Sequence, residues 1–320
     1  MKLSTLVFLL VGIVLFILAG GAAFIAFTAP KAPLLMEAIA APFRTMNFMT
    51  LPPVSHYSAR DGAKLAYRSY PAPKAKQTVV LIHGSSGSSR SMHALAQYLQ
   101  RNNIDVYALD VRGHGESGRK GDIDYVGQLE DDLEDFRNQM FKGEKDLTLL
   151  GLSSGGGFVL RFAGSNRQQL FNRYVALAPF IRYDAPTTRP NNGEWAKASI
   201  PRILAITILG AAGQKWLGYL PVIAFGINPQ TAQYQTATYS YRLWSNFGLH
   251  YNYSDDLKAI KQPLKVLVGA NDELFYPQKF MQIFAESQPH PEIKIVPGAG
   301  HITLTTEPSA LSAIAEVILH

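Results

Sequence analysis

The stretch LTLLGLSSGGGFVL, residues 147–160, decides the fold. It begins with an apolar run typical of a strand buried on both faces, and it ends in a helical pattern. Between them, Gly151–Gly155 reads GLSSG, which fits the G-x-S-x-G pattern. A serine held on a sharp strand-to-helix turn needs glycines beside it, because side chains would block so tight a bend. The stretch therefore predicts that Ser153 is an exposed nucleophile.

A serine becomes a strong nucleophile only when a base takes its proton, and the base needs an acid to orient it. Both partners occur later in the chain, in the order serine, acid, histidine. Asp272 and His301 each follow a predicted core strand, where open α/β sheets build their sites. Glu273 is the only close rival for the acid. We predict a catalytic triad of Ser153, Asp272 and His301.

Acyl transfer also needs hydrogen-bond donors for the oxyanion that forms during attack. His83–Gly87 reads HGSSG and follows the apolar run 78–82, so its backbone N–H groups can face the same edge of the sheet. The N–H groups of Ser85 and Ser154 are the predicted oxyanion-hole donors. Ser86 is the alternative to Ser85.

Apolar runs alternate with helical patterns along most of the chain, which predicts an α/β fold with a mostly parallel sheet covered by helices. The predicted strands are residues 78–82, 104–111, 147–152, 174–178, 264–268 and 293–296. An insertion at about 181–261 interrupts the alternation. It shows no clean strand and has helical stretches at 200–212 and 216–225, so it predicts a helical lid.

The amino-terminal segment is apolar, with no charged residue from 3 to 30. A run of this length predicts a single transmembrane anchor over residues 1–28, with a cleaved signal peptide as the alternative. Residues 29–54 contain five prolines and are predicted to be a linker along the membrane, before a hydrolase domain over 55–320. The few flanking positive charges leave the side of the membrane undetermined.

The composition excludes several classes of function. The 320 residues include no cysteine, which removes disulfides, thiolate nucleophiles and cysteine-based zinc sites. The chain has a net charge of +6, but its Lys and Arg residues form no consecutive block. We therefore expect no nucleic-acid partner. Gly113–Gly118 fits G-x-G-x-x-G, but no helical pattern follows it. We therefore expect no dinucleotide cofactor. The acidic run 130–135 lies in a helical pattern and predicts a solvated helix face, so we expect no metal either.

Five motifs in order carry a resemblance to a known family. They are His83-Gly84, DVRGHGES at 110–117, the serine elbow, Gly269–Asp272 and Gly300-His301. Together they resemble the α/β-hydrolase superfamily, and within it the lysophospholipase, monoacylglycerol lipase and serine aminopeptidase branch. The resemblance covers about residues 55–320 apart from most of the insertion. It implies the fold and the triad, and it leaves the substrate open because the branch hydrolyses esters, amides and peptides.

The sequence therefore predicts a serine hydrolase that cleaves a carboxylic ester through an acyl-enzyme. The apolar insertion and the anchor favour a lipophilic substrate at a lipid membrane, such as a lysophospholipid or monoacylglycerol. A peptidase or amidase with the same triad is the alternative, and a non-catalytic membrane scaffold is a remote one. The sequence leaves the oligomeric state undetermined.

Overall fold

The computed structural model describes residues 12, 15, 19–21, 23–143, 146–190, 195–287 and 290–319. Most of the predicted anchor, residues 1–28, lies outside these residues, so the anchor stays a prediction. Among the described residues, no helix is both long and apolar enough to cross a bilayer. Residues 23–27, at the end of the predicted anchor, are helical.

Strands and helices alternate through the described chain as predicted. The strands are β1 (Ser55–Ser58), β2 (Lys64–Tyr70), β3 (Gln77–Ile82), β4 (Ile104–Leu109), β5 (Leu147–Leu152), β6 (Arg173–Leu177), β7 (Ala196–Ala198), β8 (Pro221–Phe225), β9 (Thr238–Ser240), β10 (Leu264–Gly269) and β11 (Glu292–Val296). The α-helices are α1 (Glu37–Arg44), α2 (His93–Arg101), α3 (Gln128–Met140), α4 (Ser154–Ala163), α5 (Ile200–Ala211), α6 (Tyr241–Asn246), α7 (Tyr253–Ala259), α8 (Phe280–Ile283) and α9 (Pro308–Leu319).

The main sheet has the strand order β1-β2-β4-β3-β5-β6-β10-β11. The pairs β1–β2 and β2–β4 are antiparallel, and the pairs from β4 to β11 are parallel. Every residue of the central strand β5 is buried, as its continuous apolar run requires. Helix α2 packs with α9 and α4 packs with α7, so helices cover the sheet in two layers. The predicted mostly parallel α/β architecture is therefore confirmed.

The insertion, residues 181–261, differs from the helical lid that the sequence predicts. Strands β7, β8 and β9 form a small antiparallel sheet within it, with β8 in the middle. The predicted helix at 216–225 is wrong, because a short 3₁₀ turn, Lys215–Tyr219, leads there into β8. A short apolar run is compatible with a strand or a helix. Here residues 221–225 form a strand because they pair with β7 on one edge and with β9 on the other. The other predicted stretch, 200–212, forms helix α5.

The segment 29–54 differs from the linker that the sequence predicts. Its helix α1 packs onto the α/β domain, and Ile39 belongs to the main hydrophobic core with 7% of its surface exposed. Just before α1 the chain passes so close to Gly226 that a Cβ there would lie 2.2 Å from the carbonyl oxygen of Leu34. This segment is thus part of the folded domain, although it precedes the first strand.

Candidate active site

Ser153 lies on a strained turn between β5 and α4. Its φ of 57° falls in the left-handed region that few non-glycine residues adopt, and its N–H donates to the Leu177 carbonyl at 2.9 Å. A Cβ on Gly151 would come within 2.3 Å of the Gly155 carbonyl oxygen, and one on Gly155 would lie equally close to that of His83. The strand–turn–helix that the sequence predicts around Ser153 is therefore present.

Asp272 and His301 are almost completely buried and contact each other. Oδ2 of Asp272 lies 2.8 Å from Nδ1 of His301, while Oδ1 accepts the backbone N–H groups of Leu274 and Phe275. The rival Glu273 accepts the backbone N–H of His301 at 2.7 Å. The geometry thus joins Asp272 to the imidazole and Glu273 to the main chain. Because a carboxylate accepts from Nδ1–H, Nε2 is the basic nitrogen of the ring.

The backbone N–H groups of Ser85 and Ser154 have no acceptor in the described part of the chain. The hydroxyl groups of these two serines are hydrogen-bonded at 2.5 Å, so the loop after β3 is held beside the start of α4. The N–H of Ser86 is engaged, since it donates to the hydroxyl of Tyr239 at 2.6 Å. The structure therefore leaves both predicted oxyanion donors available and engages the alternative.

Tyr239, from β9 of the insertion, connects this loop to two buried histidines. Its hydroxyl lies 2.6 Å from Nε2 of His114, whose Nδ1 faces the carbonyl oxygens of Val111 and Arg112. Nδ1 therefore donates and Nε2 accepts, which is the pattern of a neutral ring. Burial lowers the pKa of His114 well below its usual value, with a smaller contribution from His83.

His83 is also buried and neutral. Its Nδ1 lies 2.8 Å from the Gly84 carbonyl oxygen, and its Nε2 accepts the N–H of Val111 at 3.2 Å. Burial lowers its pKa as well. Both nitrogens of each ring are thus engaged by groups other than Ser153, so the two histidines are structural partners of the loops beside it.

Ser153 and His301 open into one cavity, and most of its wall is apolar. The amino-terminal segment supplies Leu35, Ile39, Ala40, Phe43 and Phe48, and the hydrolase domain supplies Leu152, Trp195, Leu274 and Ile302. The contribution of the amino-terminal segment to the cavity is not predicted from the sequence. The amphipathic spacing of Ile39 and Phe43, four residues apart, was a signal that could have indicated a packed helix.

Part of the cavity lining is polar. It includes Ser88, Arg90, Ser91, Asn228, Thr231 and Gln235. Among the described residues that line the cavity there is no Asp or Glu, whereas Arg44 and Arg90 are both present. The cavity is therefore suited to an apolar chain and to neutral or negatively charged polar groups.

The acidic run at 130–135 is not the solvated helix face that the sequence predicts. Glu130 and Asp132 are buried in α3, where they pair with Arg161 at 2.5 Å and with Arg112 at 2.7 Å. The remaining acids of the run pair with arginines that lie outside α3. The carboxylates thus serve as ion-pair partners, and no group of potential metal ligands occurs in the ranges that the structure describes.

Comparison with known proteins assigns the chain to a family. The family described as "Serine aminopeptidase, S33" matches residues 73–309, well over half of the chain. The protein YfhR of Escherichia coli O157:H7 is 27% identical over 135 residues, which cover 40% of this chain and 47% of YfhR. A monoacylglycerol lipase of Mycolicibacterium smegmatis is 34% identical over 112 residues, which cover 33% of this chain and 39% of the lipase.

The chain thus spans about half the length, or less, of these curated relatives. Among solved structures, a soluble variant of monoglyceride lipase from Saccharomyces cerevisiae, in complex with a substrate analog, superposes with a TM-score of 0.62. It is 18% identical, and the match covers 86% of this chain and 96% of that one. This likeness shows the α/β-hydrolase fold.

Proposed function

Since the chain belongs to the serine aminopeptidase S33 family of α/β hydrolases, we propose that it cleaves carboxylic esters of lipophilic acyl chains through an acyl-enzyme. One observation carries this proposal. Ser153, on its strained turn, shares an apolar cavity with His301, which is hydrogen-bonded to buried Asp272. A nucleophile, a base and an orienting acid thus face a space suited to an acyl chain.

In the proposed mechanism, Nε2 of His301 takes the proton of the Ser153 hydroxyl as its oxygen attacks the ester carbonyl. The negative charge that develops on the carbonyl oxygen is stabilised by the N–H groups of Ser85 and Ser154. His301 then gives its proton to the alcohol that leaves, and water hydrolyses the acyl-enzyme by the same steps. Asp272 keeps the ring oriented and stabilises it while it is charged.

The cavity favours an ester over an aminoacyl substrate. An enzyme that selects a free α-amino group needs an acceptor for a positively charged ammonium, and a carboxylate is the usual partner. The part of the cavity lining that the structure describes holds no Asp or Glu. Of its two arginines, Arg44 is paired with Glu37, and Arg90 forms no ion pair with a described residue. Such a surface repels an ammonium group, and it supports the ester against the aminopeptidase that the family's description names.

The proposed location is a membrane, with residues 1–28 as a single amino-terminal anchor. The end of that segment meets the insertion, since Ser199 Oγ donates to the Thr28 carbonyl at 2.6 Å and Arg202 donates to the carbonyl of Ile25. On α5, which begins there, large apolar side chains are exposed. They are Ile200, Leu204 and Ile208, with 52%, 56% and 68% of their surface exposed.

The spacing of these three side chains, four residues apart, puts them on one face of α5. Because α5 begins beside Thr28, at the end of the proposed anchor, we propose that this exposed face rests on the lipid surface. Exposed apolar area of this kind binds interfaces by being removed from water.

A fluorophosphonate probe tests the chemistry. It should label the wild-type protein and leave Ser153→Ala unlabelled, because only an activated serine reacts. Hydrolysis of an ester series and of aminoacyl amides then separates the two substrate classes. Turnover of amides but not esters would mean that the protein is a peptidase or amidase. Absence of labelling would mean that it is non-catalytic.

A further inference from the structure

Arg90 lies in the wall of the cavity between two aromatic rings. The centre of its guanidinium is 3.6 Å from the centroid of the Phe48 ring and 4.4 Å from that of Tyr234. Both rings line the same cavity as Ser153. Stacking of this kind engages the planar faces of a guanidinium and leaves its N–H groups free to donate along the edge. The side chain is thus held in place without using its hydrogen-bond donors.

The guanidinium of Arg90 has no acidic partner among the residues that the structure describes. Arg44, the other arginine of the lining, binds both carboxylate oxygens of Glu37, at 2.8 and 2.9 Å. Arg90 forms no ion pair within the described ranges of the chain. Partial burial lowers the pKa of its guanidinium, although an arginine remains charged at neutral pH. A charge that is partly withdrawn from water and has no ion-pair partner is available to bind an anion, which would offset part of the desolvation cost.

We propose that Arg90 binds an anionic group, a phosphate or a carboxylate, on the alcohol part of the ester substrate. This inference rests on the proposed ester hydrolysis and names the class of ester. We assign the acyl chain to the apolar lining that Leu152, Leu274 and Ile302 supply, and therefore the charged group to the alcohol that leaves. Two parallel N–H groups of a guanidinium match two oxygens of a phosphate or carboxylate.

The test compares two soluble esters with the same acyl chain, 1-hexanoylglycerol and 1-hexanoylglycerol 3-phosphate. Both are used as monomers without vesicles, so that anionic lipid cannot be the source of any effect. We expect the wild type to have the lower KM for the phosphate ester. Arg90→Gln should raise that KM by about tenfold or more relative to the neutral ester, as expected for a lost charged hydrogen bond. The KM of Arg90→Lys for the phosphate ester should lie between those of the wild type and Arg90→Gln.

Arg101→Gln is the matched control. Arg101 is exposed at the end of α2 and does not line the cavity, so its loss removes the same charge from the protein without touching the site. If Arg90→Gln changed both esters equally, Arg90 would be a structural residue and the inference would be wrong. An equal effect of Arg101→Gln would assign the preference to overall charge and would also overturn it.

A binding measurement separates this inference from the proposed function. Hexyl phosphate should raise the Tm of the wild type and of Ser153→Ala, and it should not raise that of Arg90→Gln. If the wild type hydrolysed neither ester but showed this Tm shift, the proposed function would fail and the anion site would stand. If the esters were hydrolysed and no shift occurred, the anion site would fail alone.

Discussion

Glu273 accepts the backbone N–H of His301 at 2.7 Å, one residue along the chain from the carboxylate that binds the ring of the same histidine. Adjacent acids therefore hold His301 in different ways. Asp272→Asn should lower kcat by about 10⁴-fold, because an amide favours the wrong imidazole tautomer. Glu273→Gln should be mild, since its amide oxygen still accepts the backbone N–H. Steady-state kinetics on one ester decide between them, and the reverse ranking would give the orienting role to Glu273.

Ser153→Ala should reduce kcat by about four orders of magnitude or more, because only the attacking oxygen is removed. Ser154→Ala is the matched variant. It loses the hydroxyl contact with Ser85 but keeps the backbone N–H that we assign to the oxyanion, so its loss of kcat should be far smaller. Circular dichroism should show both variants folded. Similar losses in the two variants would contradict the assigned roles.

Phe43→Ala tests the amino-terminal wall of the cavity. Removing the ring should weaken binding of a dodecanoyl ester by about 1 kcal/mol, or roughly fivefold in KM, because apolar contact is lost. An acetyl ester should be affected less, since it is too short to reach a distant wall. Met49→Ala, in the same segment but 95% exposed, is the control. Equal changes on both esters would mean that Phe43 only supports the fold.

Leu204→Ser combined with Ile208→Ser tests the exposed face of α5. Hydrolysis of a long-chain ester in vesicles should fall severalfold, because less apolar surface enters the interface. Hydrolysis of a monomeric short-chain ester should persist. Met281→Ser, which removes a 69% exposed apolar side chain outside the insertion, is the control. A similar fall in hydrolysis of both substrates would mean that these residues support the structure of the active site.

Stability should fall as the pH drops below about 6.5, because His83 and His114 are neutral in the fold. Their pKa values are lowered from the usual 6.5, so the unfolded chain binds protons first as the pH falls. Stability from these groups is thus fully present above 6.5 and is lost between that pH and the lowered folded values. Each group contributes a slope of up to about 1.4 kcal/mol per pH unit.

Urea unfolding at pH 7.5 and 5.5 measures this dependence. His114→Gln should flatten the difference between the two pH values, whereas His56→Gln, which replaces an exposed histidine, should leave it unchanged. An unchanged slope in His114→Gln would show that other groups cause the loss.

Sequence patterns alone predict the parts of this molecule that depend on local geometry. Gly151 and Gly155 mark the turn at Ser153 because any larger residue collides there, and the strand before Asp272 is recognisable from its apolar run. The spacing of Ile39 and Phe43 indicates a packed helix, but the surface on which that helix packs depends on residues far along the chain. In the same way, β8 forms because it pairs with β7 and β9, and the apolar sequence of β8 does not indicate either partner.

The packing of α1 against the cavity has a consequence for release of the hydrolase domain from a membrane by proteolysis. A protease that cut between residues 45 and 54 would free the hydrolase domain from the proposed anchor. The same cut would detach Ile39 and Phe43, which line the cavity and precede the cut. Shedding at this point would yield a fragment with an open-sided cavity and a weakened core. The activity that we propose on long acyl chains therefore requires an uncut amino-terminal segment.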